Sequence, residues 1–518
     1  MELFESLLGL LAVAVILLQT SRGLRTPYPS MLAVAGVAVA FVPFAPEITM
    51  DPQLALALFI APALLDVGYD VAPRELRRNW LPLASLVLVA VSLTTAAVAW
   101  AGWKFAGLPI AAAITLGAIV APPDAAAAAA VLQRFRLPRR TLSILQGESL
   151  LNDAVALLIF GAALSVAVAT PETKTSLWGH LLIAVPGGWA IGWGIGHAYL
   201  FGARRVAGTM SSIILEFVST FGTWLVAEKL GLSPIIAVVV FAMTVAARAP
   251  EQQPARDRIH SYSIWGAVVF ILNVLAFLLM GLQARVIFAR LHGQELMRAL
   301  EFAGLVLLIV VVVRLAWLMI YGLLMRRFEH PLRNMGVDVP IPSARIGILV
   351  SWCGMRGLVT LATAFALPQN FPQRDVVLLS AFAVVLGTLV VQGLTIGPLI
   401  RLLNIEPDRS REAEISFART RMLDAAMEAL ADKPGPAADT VRTEYRAAQD
   451  IARDTEHPQR GVEHDRLRMI AIAEERRVLF ELRNAGEIED DAFHAIEEQL
   501  DWAELNASPA GHFPMQAT

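Results

Sequence analysis

Residues Gln146 to Phe160 place Glu148, Ser149, Asn152 and Asp153 inside a segment otherwise apolar enough to cross a bilayer. An ionised side chain at membrane depth costs at least about 2.5–3.5 kcal/mol, so such a residue marks a functional site and calls for a partner. Residues four apart share a helix face. Ser149 therefore lies under Asp153, and Glu148 under Asn152. The first pair offers a hydroxyl and a carboxylate, the oxygen donors that small hard cations require. The second pair, a carboxylate and an amide, suits a structural network.

Two further spans carry charge. In Ala121-Pro122-Pro123-Asp124 the prolines remove backbone donors and break the helix at mid-membrane. Such a break persists only inside protein or along a cavity. Asp124 at the break serves either as an ion ligand or as the charge compensating a following half-helix, whose dipole favours an anion. In Gly354-Met355-Arg356-Gly357 a cation sits between glycines that permit unwinding. Arg356 requires an anionic partner: Glu148 is the first choice and Asp124 the second. A Glu148–Arg356 pair would leave Asp153 without a fixed counter-ion. Asp66 falls near one end of the third span, as the mouth of a funnel or as a solvated interfacial acid. Asn273 fits a helix-packing hydrogen bond, and Glu216 and Glu228 fit the membrane interface.

The elements that hold these residues follow from hydropathy. The chain has 518 residues, 56% hydrophobic and only 17% charged, against about 25% charged in a soluble domain. About thirteen apolar runs suit helices crossing roughly 30 Å of hydrocarbon. Their expected limits are 3–20, 29–46, 53–70, 80–103, 108–132, 141–169, 177–201, 211–229, 233–248, 262–284, 299–325, 344–368 and 374–402. Leu3–Leu18 reads as a retained span, because Glu2 and Glu5 precede or interrupt it where a signal peptide has cations. Arginines crowd the odd loops (Arg22, Arg25; Arg74, Arg77, Arg78; Arg134, Arg136, Arg139, Arg140; Arg204, Arg205; Arg248, Arg256, Arg258; Arg326, Arg327, Arg333). Arg285, Arg290 and Arg298 run against that trend. The positive-inside rule places the N-terminus outside and the C-terminus in the cytoplasm. Interrupted fifth and twelfth spans at corresponding positions of two halves point to inverted repeats around a transport site.

The fold class is thus an all-α polytopic membrane protein with two unwound, crossing helices. Residues 1–403 form the transmembrane domain, and 404–518 a charged, helical cytoplasmic tail broken at Pro434, Gly435, Pro436 and Pro458. The single cysteine, Cys353, excludes an intrachain disulfide. No Gly-x4-Gly-Lys-Ser/Thr run suggests an ATPase, no Cys/His cluster a transition metal, and the nine histidines are scattered.

The ordered motifs Leu65-Asp66-Val67-Gly68-Tyr69, Gly147-Glu148-Ser149-Leu150-Leu151-Asn152-Asp153, Ala227-Glu228-Lys229-Leu230-Gly231-Leu232-Ser233 and Gly354-Met355-Arg356-Gly357 resemble those of sodium/proton antiporters of the monovalent cation:proton antiporter superfamily, on the electroneutral NhaP/NHE branch. The resemblance covers about residues 1–403. It implies a homodimer in the plasma membrane (a bacterial inner membrane), with a dimerisation subdomain and a mobile core. It also implies no cofactor, Na+ and H+ as substrates, and no nucleic-acid partner. Asp153 would be alternately protonated and cation-bound, Ser149 and Asp66 its co-ligands, Asn152 a link to the unwound chains, and Glu148 the partner of Arg356. Asp124 matches the aspartate of the family's Thr-Asp-Pro element, but Pro123 and Ala125 replace its neighbours. The implied activity is electroneutral Na+ (or Li+) exchange for H+. A K+/H+ antiporter is the alternative, and an intramembrane aspartyl enzyme with an Asp124–Asp153 dyad, its acids about 3 Å apart, a remote one.

Overall fold

A computed structural model describes residues 2–24, 27–42, 52–71, 73–124, 127–128, 132, 137–168, 177–328, 343–405, 408, 410–453 and 459–507. Arg25, Arg134, Arg136, Arg333 and Ala125 lie outside them. The apolar runs become helices in the expected order: α1 (Glu2–Leu24), α2 (Tyr28–Ala40), α3 (Pro52–Asp70), α4 (Trp80–Phe105), α5 (Ile110–Val120), α6 (Arg139–Val168), α7 (Leu177–Val206), α8 (Ser211–Lys229), α9 (Pro234–Ala246), α10 (Ala255–Phe288), α11 (Gly293–Arg327), the half-helices α12 (Ala344–Trp352) and α13 (Leu358–Phe365), and α14 (Arg374–Leu403). Among the described residues five helices, α4, α6, α10, α11 and α14, are by length and composition apolar enough to cross a membrane on their own. Both α10 and α11 run several residues beyond their apolar stretches, because their polar ends continue the helix. The division between α8 and α9 has a local cause. Gly231 takes a left-handed φ of 68°, and Ser233 accepts from the Ile236 N–H ahead of Pro234 at the first helical position.

Two groups of helices emerge from the packing. In one, α10 lies along α2 and α3, and α9 lies along α3 and α7, with α8 beside them. In the other, α4, α5 and α6 pack with α11, α12, α13 and α14. The axes of α2 and α10 approach closely because glycines face each other. A Cβ on Gly36 would stand 2.5 Å from the Leu278 carbonyl oxygen, and one on Gly281 2.5 Å from that of Ala33. The exterior stays apolar: Ile16, Ile214 and Leu323 are each about two-thirds exposed (66%, 64% and 65%). Contiguous apolar surface of this kind suits lipid rather than water. Two π-helical turns, 85–90 in α4 and 388–392 in α14, interrupt the second group. Such turns often accompany functional sites.

Residues 408–517 form a separate compact unit. Helices α15 (Ser410–Leu430) and α16 (Pro436–Arg453) pair, as do α17 (Gln459–Asn484) and α18 (Asp490–Ala507). The second pair encloses Ile472, Leu479, Phe493 and Leu500, and turns at Gly486, which has φ 70°.

Candidate functional site: crossed chain breaks beside Asp153

Helix α5 stops at Val120 and the chain runs irregularly through Ala121-Pro122-Pro123-Asp124. The twelfth span stops at Trp352 and resumes at Leu358. The two breaks are bonded to one another. The Asp124 N–H donates to the Met355 carbonyl oxygen at 2.7 Å. Arg356 donates from Nε to the Val120 carbonyl at 3.0 Å and from Nη2 to that of Ala121 at 3.2 Å, and Nη1 reaches Gly354 O. Its own N–H donates to Thr388 Oγ1 at 3.0 Å, beside the π-helical turn of α14. A guanidinium thus closes the carbonyl end of α5, where the helix dipole is negative. On the other side of the break Asp124 Oδ1 accepts from the Ala127 N–H at 3.3 Å.

Glycine permits the crossing sterically. A Cβ on Gly357 would fall 1.6 Å from Asp124 Oδ2, so the carboxylate occupies the space a side chain would need. A Cβ on Gly354 would fall 2.5 Å from both Cδ and Nε of Arg314.

Arg314 corrects one expectation. Glu148 pairs with Arg314 of α11, not with Arg356. The contact is bidentate, Nη1 to Oε1 at 2.5 Å and Nη2 to Oε2 at 2.8 Å. Both groups are buried, at 1% and 3% exposure. Arg314 also donates to the Val350 carbonyl at 3.3 Å, which ties α11 to α12. Arg356 needs no carboxylate because three carbonyl oxygens, with their lone pairs free at a helix end, satisfy it. The sequence held the signal for Arg314: a cation in the middle of the apolar run of α11, the criterion that singled out Asp153.

Along α6 the two faces separate as the four-residue spacing requires. Asn152 Nδ2 donates to Glu148 Oε1 at 3.1 Å, and the Asn152 Oδ1 is buried with no hydrogen-bond partner among the described residues. On the adjoining face Asp153 is 6% exposed and takes part in no ion pair with a described residue. Asp124 is near enough to act on it electrostatically. Ser149 is half-buried one turn before Asp153, and Asp66 is exposed on α3, which packs along α8, α9 and α10. Among the described residues no group of three or more His, Cys, Asp or Glu side chains gathers as a metal site.

Two buried polar features escaped the sequence reading. Glu216 is buried in protein rather than solvated: it is 3% exposed and accepts from Tyr69 Oη at 3.1 Å and Ser261 Oγ at 2.6 Å. Gln392, at the end of the π-helical turn, is buried, and neither amide atom has a partner among the described residues.

Comparisons with known proteins agree with this architecture. Residues 9–402 match the family described as sodium/hydrogen exchanger, transmembrane. An uncharacterized Na+/H+ exchanger of Mycobacterium tuberculosis is 28% identical over 525 residues, covering 96% of this chain and 95% of the relative. The Na+/H+ antiporter ApNhaP of Aphanothece halophytica is 28% identical, with 92% of each chain covered. A sodium, potassium, lithium and rubidium/H+ antiporter of Bacillus pumilus is 28% identical over 83% of this chain and 66% of its own length. The structure of the sodium proton antiporter MjNhaP1 of Methanocaldococcus jannaschii superposes with a TM-score of 0.60 at 16% identity, over 78% of this chain and all of that one, so the fold is shared. The chain belongs to the sodium/hydrogen exchanger family, and is a membrane cation/proton antiporter rather than an enzyme.

Proposed function

We propose that this protein exchanges Na+ for H+ electroneutrally, with Asp153 as the one carboxylate that holds either ion. The observation that carries this reading is the contrast along α6. Glu148 is neutralised by Arg314, whereas Asp153, equally buried, has no fixed counter-ion among the described residues. Burial disfavours the ionised carboxylate, and a proton or a cation relieves it. Carrying the site across the membrane while empty and charged would cost several kcal/mol. Proton and cation therefore exclude one another on Asp153, and neither gradient leaks through a vacant site. Ser149, Asp66 and Asp124 are the candidate co-ligands, and neutral oxygens complete the hard-donor set that Na+ prefers. Asn152 positions the site through Glu148. Rocking of the second helix group against the first supplies alternating access. The protein works as a homodimer in the plasma membrane, N-terminus outside and residues 404–518 in the cytoplasm.

Potassium is the competing substrate, because a relative of similar identity is named for sodium, potassium, lithium and rubidium. Proton flux into proteoliposomes measured against a Na+, Li+ and K+ series decides between them. Asp153→Asn should abolish flux for every cation while the protein remains folded. Wild-type rates in the mutant vesicles, or rates that follow an imposed voltage, would refute the electroneutral single-site cycle.

A further inference from the structure

A cavity of about 830 Å3 lies between the two helix groups, at the end of the bundle where α10 turns into α11 and α13 into α14. Its wall is apolar and comes from both groups: Phe59, Leu279 and Met280 on one side, Leu361 and Phe365 on the other. Its mouth carries Arg285, Arg290 and Arg374. Arg290 is paired with Asp375 at 3.4 Å, and Arg374 donates to the Leu367 carbonyl at 3.0 Å. Arg290 also bears electrostatically on Arg374. Arg285 is exposed and pairs with no described carboxylate. Among the described residues, three guanidiniums thus stand with one acid, Asp375, beside a largely apolar chamber.

The geometry points to a binding site for an anionic phospholipid of the surrounding bilayer, its phosphate on Arg285 and Arg374 and one acyl chain along Phe59, Leu279 and Phe365. Charge complementarity selects an anionic head, and the apolar wall selects an alkyl chain over a soluble anion. The volume falls within the range of small-molecule sites. The occupant would touch both groups at once. Resting on the rocking motion proposed above, it acts as a brake on exchange, because the groups cannot shift while a chain fills the gap.

The test uses the full-length protein in phosphatidylcholine nanodiscs. Two photoreactive phospholipids carry the same diazirine chain, one with a phosphatidylglycerol head and one with phosphatidylcholine. The glycerol lipid should label peptides containing Phe59, Leu279 and Phe365 at least fivefold more than the choline lipid. Arg285→Glu, or the milder Arg285→Gln, should reduce that excess to the choline level. Equal labelling by the two lipids, no labelling, or no response to the Arg285 substitutions overturns the site. Competition by millimolar inorganic phosphate assigns it to a soluble anion and overturns the lipid. In vesicles, phosphatidylglycerol should slow cation-dependent proton flux by at least twofold for the wild type and leave Arg285→Glu unaffected. Selective labelling with an unchanged rate overturns the brake alone. Labelling is read without transport, so failure of the exchange mechanism and failure of this site remain distinguishable.

Discussion

Two buried arginines in this protein solve different problems. Arg314 neutralises Glu148, and Arg356 closes carbonyl groups left open by a broken helix. Their removal should therefore have different consequences. Arg314→Ala strands a buried carboxylate, and breaking a buried pair costs about 3–5 kcal/mol. Replacing both partners with apolar or neutral groups of similar size removes that stranded charge. The double variant Glu148→Gln/Arg314→Met should therefore unfold at a higher temperature in detergent than Arg314→Ala. Pairing Glu148→Gln with Arg356→Ala should give no such rescue. A rescue by the second combination, and none by the first, would reassign the partner of Glu148. The Asn152 amide stands beside the first of these roles, its Nδ2 on Glu148 and its Oδ1 buried without a hydrogen-bond partner among the described residues.

At the scale of elements, the site exists because two spans break and cross. Proline makes one break and glycine the other, and each break supplies bonds to its counterpart. Gly357 is the tightest point. Gly357→Ala would bring a methyl to 1.6 Å from Asp124 Oδ2, so the carboxylate or the whole crossing must move. Overpacking of this kind typically costs about 1–3 kcal/mol. The variant should fold with a lowered melting temperature and lose most of its cation-dependent proton flux. Gly322→Ala, at a position with open space around the Cβ, is the matched control and should behave as wild type. Equal activity of the two variants would show that the crossing tolerates displacement of Asp124.

The whole molecule consists of two units with different physics. In the transmembrane unit the exterior is largely apolar, Glu148 and Arg314 are buried as a pair, and Asp153 is buried with no ion pair among the described residues. In residues 408–517 the helices are held by surface ion pairs and a small core. Asp424 accepts hydrogen bonds from Arg453 at 2.5 Å and Gln449 at 2.6 Å, and its carboxyl is held below the ordinary aspartate value, chiefly by Arg453. A depressed folded value means a contribution present above the unfolded pKa of about 3.9, lost as pH falls through the folded one. The α15–α16 pair should thus weaken slightly on acidification below about pH 4. Arg453→Gln should flatten that acid limb, measured by thermal unfolding from pH 3 to 7. The effect is small because the pair is exposed and solvent screens it. An unchanged acid limb in the variant would remove Arg453 as its cause.

Much of this was legible without coordinates because the bilayer is a severe solvent. It forces about twenty apolar residues per crossing and penalises every charge placed within one. The number and order of spans, the two interrupted helices and the singular position of Asp153 all follow from that penalty. The exclusion of an intrachain disulfide follows instead from simple count, since Cys353 is the single cysteine. Periodicity also separated the Glu148–Asn152 face from the Ser149–Asp153 face, since four-residue spacing is intrinsic to the helix. Which arginine meets Glu148 was decided only in three dimensions. Arg314 and Arg356 are both cations in apolar surroundings, and choosing between them requires the rotation and depth of α11 against α6. The burial of Glu216 beneath Tyr69 and Ser261 was likewise set by packing among three helices distant in sequence. Hydropathy fixes which residues must leave lipid, whereas the partner each one finds depends on how the helices turn toward one another.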